Sequence, residues 1–263
     1  MANFKYIHKL RNARIVIFGA TSGFGFAVAE AAIEHGANVI LCGSNQQRLD
    51  GATKRLEASY SECTRGQITT AVCDLADVDN LEAQLQDMFN TITDNAVSKI
   101  DHIVFTADDS HAAPPVSKTT PNDIYLSLRL RVYSSTILAK VVAANDFLQH
   151  SPDASVTLTN GVNGHKPVKG WVVPGMASTA LEGLVRGLAV DLAPVRVNLV
   201  SAGPVATELL AKLPQEYIDM YEAETLTKRL GRPEDVAEAY LYAMKDGSAT
   251  GSIIFSDGGR RLV

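Results

Sequence analysis

Short apolar runs alternate along the whole chain with longer stretches whose apolar positions recur at helical spacing. The runs at Ile15–Phe18, Asn38–Cys42, Gln67–Cys73, Ile100–Phe105, Ser155–Thr159, Arg196–Val200 and Ser252–Phe255 read as strands. Helical spacing predicts a first helix that follows the Gly19–Gly25 turn and continues over Ala27–His35, and further helices up to about Ser61, over Leu81–Thr93, from Pro121 to about Gln149, from about Met176 to Leu192, and from Pro233 onward. Gly36 stands where the first helix should stop. Two loops carry no such pattern: His111–Thr120, rich in Pro, Ser and Thr, and Asn160–Pro174. Leu209–Thr227 reads as an exposed, partly mobile helical excursion. This alternation predicts an α/β fold with a parallel sheet covered on both faces. No repeat, low-complexity tract or linker interrupts it, so the expectation is one domain over residues 1–263.

Composition narrows the class without naming a function. Hydrophobic residues are 46% and charged residues 20% of 263, ordinary for a globular chain with a full core. A net charge of −5 argues against a nucleic-acid or anionic-membrane partner. No apolar run reaches membrane-spanning length, and the first eleven residues are too polar for a signal peptide. Three cysteines, at 42, 63 and 73, show no Cys-x-x-Cys or Cys/His spacing, so no metal site is expected. They read as buried free thiols, and the expected compartment is the cytosol.

The chemistry starts at Gly19-Ala-Thr21-Ser22-Gly23-Phe24-Gly25, between the first strand and the first helix. Glycines there allow positive φ and a close backbone approach to a ligand. With the first-turn N–H groups of the helix they make an anion site suited to a pyrophosphate. A second strand follows in a βαβ unit and ends in Gly43-Ser44-Asn45, with Arg48 beyond. An acid at that strand end would bond the adenosine ribose of NAD; none is present. Ser44, Asn45 and the cationic Arg48 instead suit a 2′-phosphate, which points to NADP(H). Asp74-Leu75, at the third strand end, is a candidate for the adenine edge, with a turn cap as the alternative role for Asp74.

These stretches, together with Val195-Arg-Val-Asn198, Gly203-Pro204-Val205-Ala-Thr207, Arg232-Pro-Glu-Asp-Val236 and Ser256-Asp-Gly-Gly259, resemble the short-chain dehydrogenase/reductase (SDR) family over essentially the whole chain. The resemblance implies a Rossmann-type, doubly wound, seven-stranded sheet, and nicotinamide near Thr159, Val205 and Thr207. It further implies homodimers or homotetramers built on the two long helices. Pro204, Thr106 and Ala107 join the expected cofactor contacts. The family's proton relay is absent, however. Its tyrosine and lysine, four residues apart on one helix face, fall on Gly175 and Thr179. None of the eight tyrosines has a lysine four residues later. The family's serine falls on Gly161 and its asparagine on Arg131, and Asn-Ala-Gly reads Thr106-Ala107-Asp108.

Ketone reduction leaves an alkoxide that needs an acid or oxyanion donor. An iminium ion needs neither, because hydride discharges it to a neutral amine. The candidate substrate-side residues are Asp108 and Asp109 at the fourth strand end; Arg131, to pair with Asp108 or grip an amide oxygen; Trp171, to stack on a ring or cation; and His165. A structural ion pair, a packed loop tryptophan and a solvated histidine are the plain alternatives. Thr-Ala-Asp, the helical Arg, Leu-Thr-Asn-Gly and Lys-Pro…Gly-Trp resemble a tetrad-lacking SDR branch, the fungal reductases of bicyclic diazaoctane indole alkaloid pathways. This implies NADPH-dependent reduction of an iminium-type intermediate of a bulky indole alkaloid and guidance of an intramolecular [4+2] Diels–Alder closure. A non-redox cyclase holding NADP as a structural group, and a silent NADP(H)-binding module, are the competing readings.

Overall fold

The computed structural model describes residues 4–61, 66–108 and 114–263. The elements run β1 (Arg14–Phe18), α1 (Gly23–Glu34), β2 (Asn38–Gly43), α2 (Gln46–Ser59), β3 (Ile68–Val72), α3 (Leu81–Thr93) and β4 (His102–Phe105). The second half runs α4 (Pro121–Leu128), a π turn (Arg129–Ser134), α5 (Ser135–Ala144), β5 (Ser155–Gly161), α6 (Val172–Asp191), β6 (Arg196–Ala202), α7 (Gln215–Ala223), α8 (Pro233–Lys245) and β7 (Ile253–Ser256). The seven strands form one parallel sheet in the order β3-β2-β1-β4-β5-β6-β7. Chain order reverses between β1 and β4, which puts the ligand crevice beyond the carboxyl ends of those strands.

Period-two alternation sorts β1 between two cores. Ile15 and Ile17 pack with α1, α2 and α8 around Val28, Leu49 and Leu241. Val16 and Phe18 pack with α3, α5 and α6 around Phe89, Val141 and Val185. Both faces are therefore covered, as the apolar runs require.

The glycine turn runs straight into α1, so Gly23 and Gly25 lie in its first helical turn. Two boundaries differ from the sequence expectation. The long helix expected from Pro121 to Gln149 passes through a π turn and stops at Ala144. Asn145 is extended there and folds its amide back onto Val141 O, while Ile100 pairs with Leu148 and draws the following residues to the sheet. The other boundary is that of α6, which begins at Val172, four residues early. Val172, Val173 and Pro174 read as loop, but proline is tolerated in a first turn whose N–H groups have no partner anyway. The excursion after β6 is anchored through Tyr221 and Thr225, both buried. Cys42 and Cys73 are buried and free, whereas Cys63 lies outside the described residues. No helix among the described residues is long and apolar enough to cross a membrane.

Candidate active site

The turn between β1 and α1 is packed to the limit of what glycine allows. A Cβ on Gly25 would lie 2.4 Å from Gly19 O and 2.6 Å from Thr106 Oγ1. One on Gly19, whose φ is +83°, would lie 2.8 Å from Ala107 N. Gly23 has φ +53° and faces Thr207 Cγ2. The first intrahelical bond runs from Phe26 N–H to Ser22 O, 3.3 Å. Ser22 lends no side-chain cap, and no acid occupies the first turn. The N–H groups of Gly23, Phe24 and Gly25 thus stand at the positive end of α1, an arrangement that accepts an anion. Thr21 is half-buried at the start of this turn. Thr106 acts beneath it as scaffold, its Oγ1 donating to Phe18 O at 2.8 Å, and Ala107 packs against Gly19.

Ser44, Asn45 and Arg48 are exposed together at the carboxyl end of β2. Asn45 caps α2 by accepting from Arg48 N–H at 3.0 Å, which leaves its amide NH2 as the group available to a ligand. Arg48 forms no ion pair among the described residues. Asp74, exposed beyond β3, accepts from Ala76 N–H at 3.0 Å, the turn-capping role, beside a buried Leu75. In Cys73, just before it, burial pushes the thiol up to about 12.

At the other end of the crevice Thr159 is engaged from behind. Its Oγ1 donates to Phe105 O at 2.6 Å, so the Tyr240 hydroxyl, also 2.6 Å away, must be the donor to it. Tyr240 is fully buried on α8, and burial pushes its phenol well above its ordinary range. Pro204 O accepts from Gly231 N–H at 3.0 Å, Val205 is buried, and Thr207 Oγ1 accepts from Leu210 N–H at 3.3 Å. These contacts hold the strand β6 end against the segment before α8.

On the substrate side the structure pairs Arg131 with Asp108. Nε donates to Oδ1 at 2.9 Å and Nη2 to Oδ2, a two-pronged fork in which each side chain is about one quarter exposed. Arg131 lies in the π turn, whose wider winding sets its side chain off the register of α4 and α5. Asp109 lies outside the described residues. Trp171 sits at the N-terminal end of α6, half-buried, with its carbonyl accepting from Gly175 N–H. His165 is turned to the flank of α6, where Nε2 meets Glu182 Oε1 at 2.7 Å and the ring packs edge-on against Phe255. Glu182 lies two helical turns beyond Gly175 on α6.

The proton-relay positions are bare. Gly175 has no side chain, and Thr179 Oγ1 simply donates to Gly175 O at 3.0 Å. The Tyr240 phenol is locked to Thr159, with no lysine bonded to either residue among those described. Sequence reasoning missed Tyr240 and Glu182, because each meets its partner only through the tertiary fold. No cluster of His, Cys, Asp or Glu suited to a metal is found among the described residues.

Comparison with known proteins agrees with this architecture. Residues 6–263 match the model of an SDR-like Rossmann domain. The chain is 38% identical over 257 residues to the short-chain dehydrogenase/reductase malC of Malbranchea aurantiaca, covering 96% of each. It is 36% identical to ucsE, a short-chain dehydrogenase/reductase of an Acremonium species, over 95% of this chain and 96% of that one. The solved structure of the MalC reductase/Diels-Alderase superimposes with a TM-score of 0.90 over 98% of this chain and 99% of that one. A glycine cradle at the reversal point of a seven-stranded parallel sheet, matched over nearly the full length, makes this chain a member of the short-chain dehydrogenase/reductase family.

Proposed function

We propose that this oxidoreductase uses NADP(H) to reduce an imine or iminium-type intermediate of a bulky indole alkaloid, and that its pocket guides an intramolecular [4+2] closure of the product. The observation that carries this reading is the pairing of an intact phosphate cradle with an Asp108–Arg131 fork in place of a phenol–lysine relay. The SDR-like domain implies a nicotinamide cofactor, which when bound supplies or takes up a hydride. The residues assigned to hold it are Gly19, Thr21, Ser22, Gly23, Phe24 and Gly25 at the pyrophosphate, and Ser44, Asn45 and Arg48 at a 2′-phosphate. Asp74 and Leu75 flank the adenine, and Thr106, Ala107, Thr159, Pro204, Val205 and Thr207 shape the nicotinamide end.

The chain's own part is binding, orientation and electrostatics. A cationic carbon needs no proton donor, so a site without an acid suffices for it. The Asp108–Arg131 fork holds two opposite charges in fixed places, ready to orient a C=N cation and a neighbouring carbonyl. Trp171 is assigned to stack on the indole. A cycloaddition asks mainly that the substrate be confined to one folded conformer. The likeness to the Malbranchea reductase/Diels-Alderase supports both halves of this reading. We assign the protein to the cytosol, as a homodimer or homotetramer assembled through α5 and α6, where Val172, Met176 and Val190 are exposed.

Single-turnover mixing with a cyclic indole iminium tests the proposal. Stoichiometric oxidation of NADPH is expected. Cyclised product without loss of NADPH would identify a non-redox cyclase, and cofactor binding without any product a silent module.

A further inference from the structure

Gly161 closes β5 two residues beyond Thr159, and Gly175 lies in the first turns of α6. A Cβ on Gly161 would meet only Asn163 Nδ2, 3.6 Å away, and one on Gly175 only Asn163 O, 3.5 Å away. Two positions at the carboxyl edge of the sheet thus carry no side chain, and the residue lodged between them is Asn163.

The carboxamide of Asn163 has a defined orientation. Arg260 Nη1 donates to Asn163 Oδ1 at 3.4 Å. A guanidinium has no acceptor, so the carbonyl end must face it and the NH2 end must face Gly161. Arg260 is itself immobilised: only 2% exposed, it donates through Nε and Nη2 to Glu224 Oε2 at 2.9 and 2.7 Å and lies over the Tyr221 ring. The Asn163 NH2 donates to no group among the described residues.

We propose that Asn163 Nδ2 is a fixed hydrogen-bond donor for a neutral oxygen acceptor on the substrate, the carbonyl of an amide or lactam beside the C=N bond. Arg260 and Glu224 are positioning residues that aim it. The proposal rests on the reductase reading above and names a feature of its substrate. The open space over Gly161 admits an oxygen at ordinary N–H···O distance, about 2.9 Å from Nδ2. A carboxamide does not titrate, so it holds the substrate without passing it a proton.

Two probes test this: a tricyclic indole iminium salt, and the same ring system bearing a carboxamide next to the C=N carbon. Calorimetry measures the binding of each to the enzyme–NADP⁺ complex. The native protein is expected to prefer the amide-bearing probe about tenfold, the worth of one well-made neutral hydrogen bond. Asn163→Ala should abolish that preference. Asn163→Asp should abolish it too while keeping an oxygen for Arg260, so a folding defect in the alanine variant cannot mimic the result; any attraction of its charge for the cation acts on both probes alike. Glu224→Ala should reduce the preference and Glu224→Gln restore it, whereas a purely structural residue would move both affinities together. No preference in the native protein, or a preference retained in Asn163→Asp, overturns the proposal. Failure of NADPH oxidation with both probes would count against the reductase reading alone, since the ratio of affinities needs no turnover.

Discussion

Replacing Gly25 by alanine adds one methyl group where the turn has no room for it. The new Cβ would lie 2.4 Å from Gly19 O and 2.6 Å from Thr106 Oγ1. Both neighbours are fixed, Thr106 Oγ1 by its bond to Phe18 O and Gly19 by its N–H bond to Cys42 O at 3.0 Å. The turn therefore has to open by about half an ångström or more, at a cost of about 1–3 kcal/mol for an overpacked site. The same displacement spoils the aim of the first-turn N–H groups of α1, and each misdirected charge-assisted bond forfeits about 1.5–3 kcal/mol. NADPH affinity should fall about a hundredfold, equivalent to about 2.7 kcal/mol. Gly23→Ala meets nothing closer than 3.5 Å and suffers only its positive φ, so about tenfold is expected from strain of about 1–2 kcal/mol. Gly66→Ala, equally left-handed but with nothing within 4 Å, serves as the control for strain. Titration of NADPH fluorescence, with thermal unfolding to confirm the fold, measures all three. Gly25→Ala binding NADPH within twofold of the native protein would refute the phosphate cradle.

Arg131→Ala should lower single-turnover hydride transfer about ten- to a hundredfold, the value of one charge-assisted contact, and leave NADPH affinity unchanged; an unchanged rate would remove it from the site. Tyr240→Phe deletes the donor to Thr159 Oγ1 from a fully buried place, and should cost about 1–2 kcal/mol in urea unfolding. His102 is buried against Ser155, and burial lowers its ring to about 3 from 6.5. Between those values the unfolded chain takes up a proton that the folded chain refuses, so this contribution is complete above pH 6.5 and is lost as pH falls toward 3. At about pH 4.5 the loss is about 2.7 kcal/mol, and His102→Asn should remove that share of the acid sensitivity in urea titrations.

The strands and the glycine cradle were legible because local pattern decides them: Ile15–Phe18 has one buried solution, and only glycine fits at residues 19 and 25. Asp108 and Arg131 were legible as candidates, but their pairing depended on a π turn that no apolar period announces. Thr159 was legible as a candidate for the nicotinamide end, but the bonds of its hydroxyl to Phe105 and Tyr240 were not, since Tyr240 lies 81 residues away. Asn45 and Asp74 carry capping duties that their own neighbours impose. His165 was read as a candidate substrate-side residue, and only the fold could bring Glu182 to it. Asn163 gave no sequence signal, since its orientation comes from the far end of the chain through Arg260.

The most direct measurement of the central claim is stopped-flow single turnover of the NADPH-loaded enzyme against two acceptors of matched shape, a cyclic iminium and the isosteric neutral ketone. Rapid hydride transfer to the cation, at a rate independent of pH while the substrate remains charged, with no detectable reduction of the ketone, is the predicted result. Brisk reduction of the ketone would contradict it, because that reaction needs an acid or oxyanion donor, and among the described residues no phenol–lysine pair stands at the relay positions.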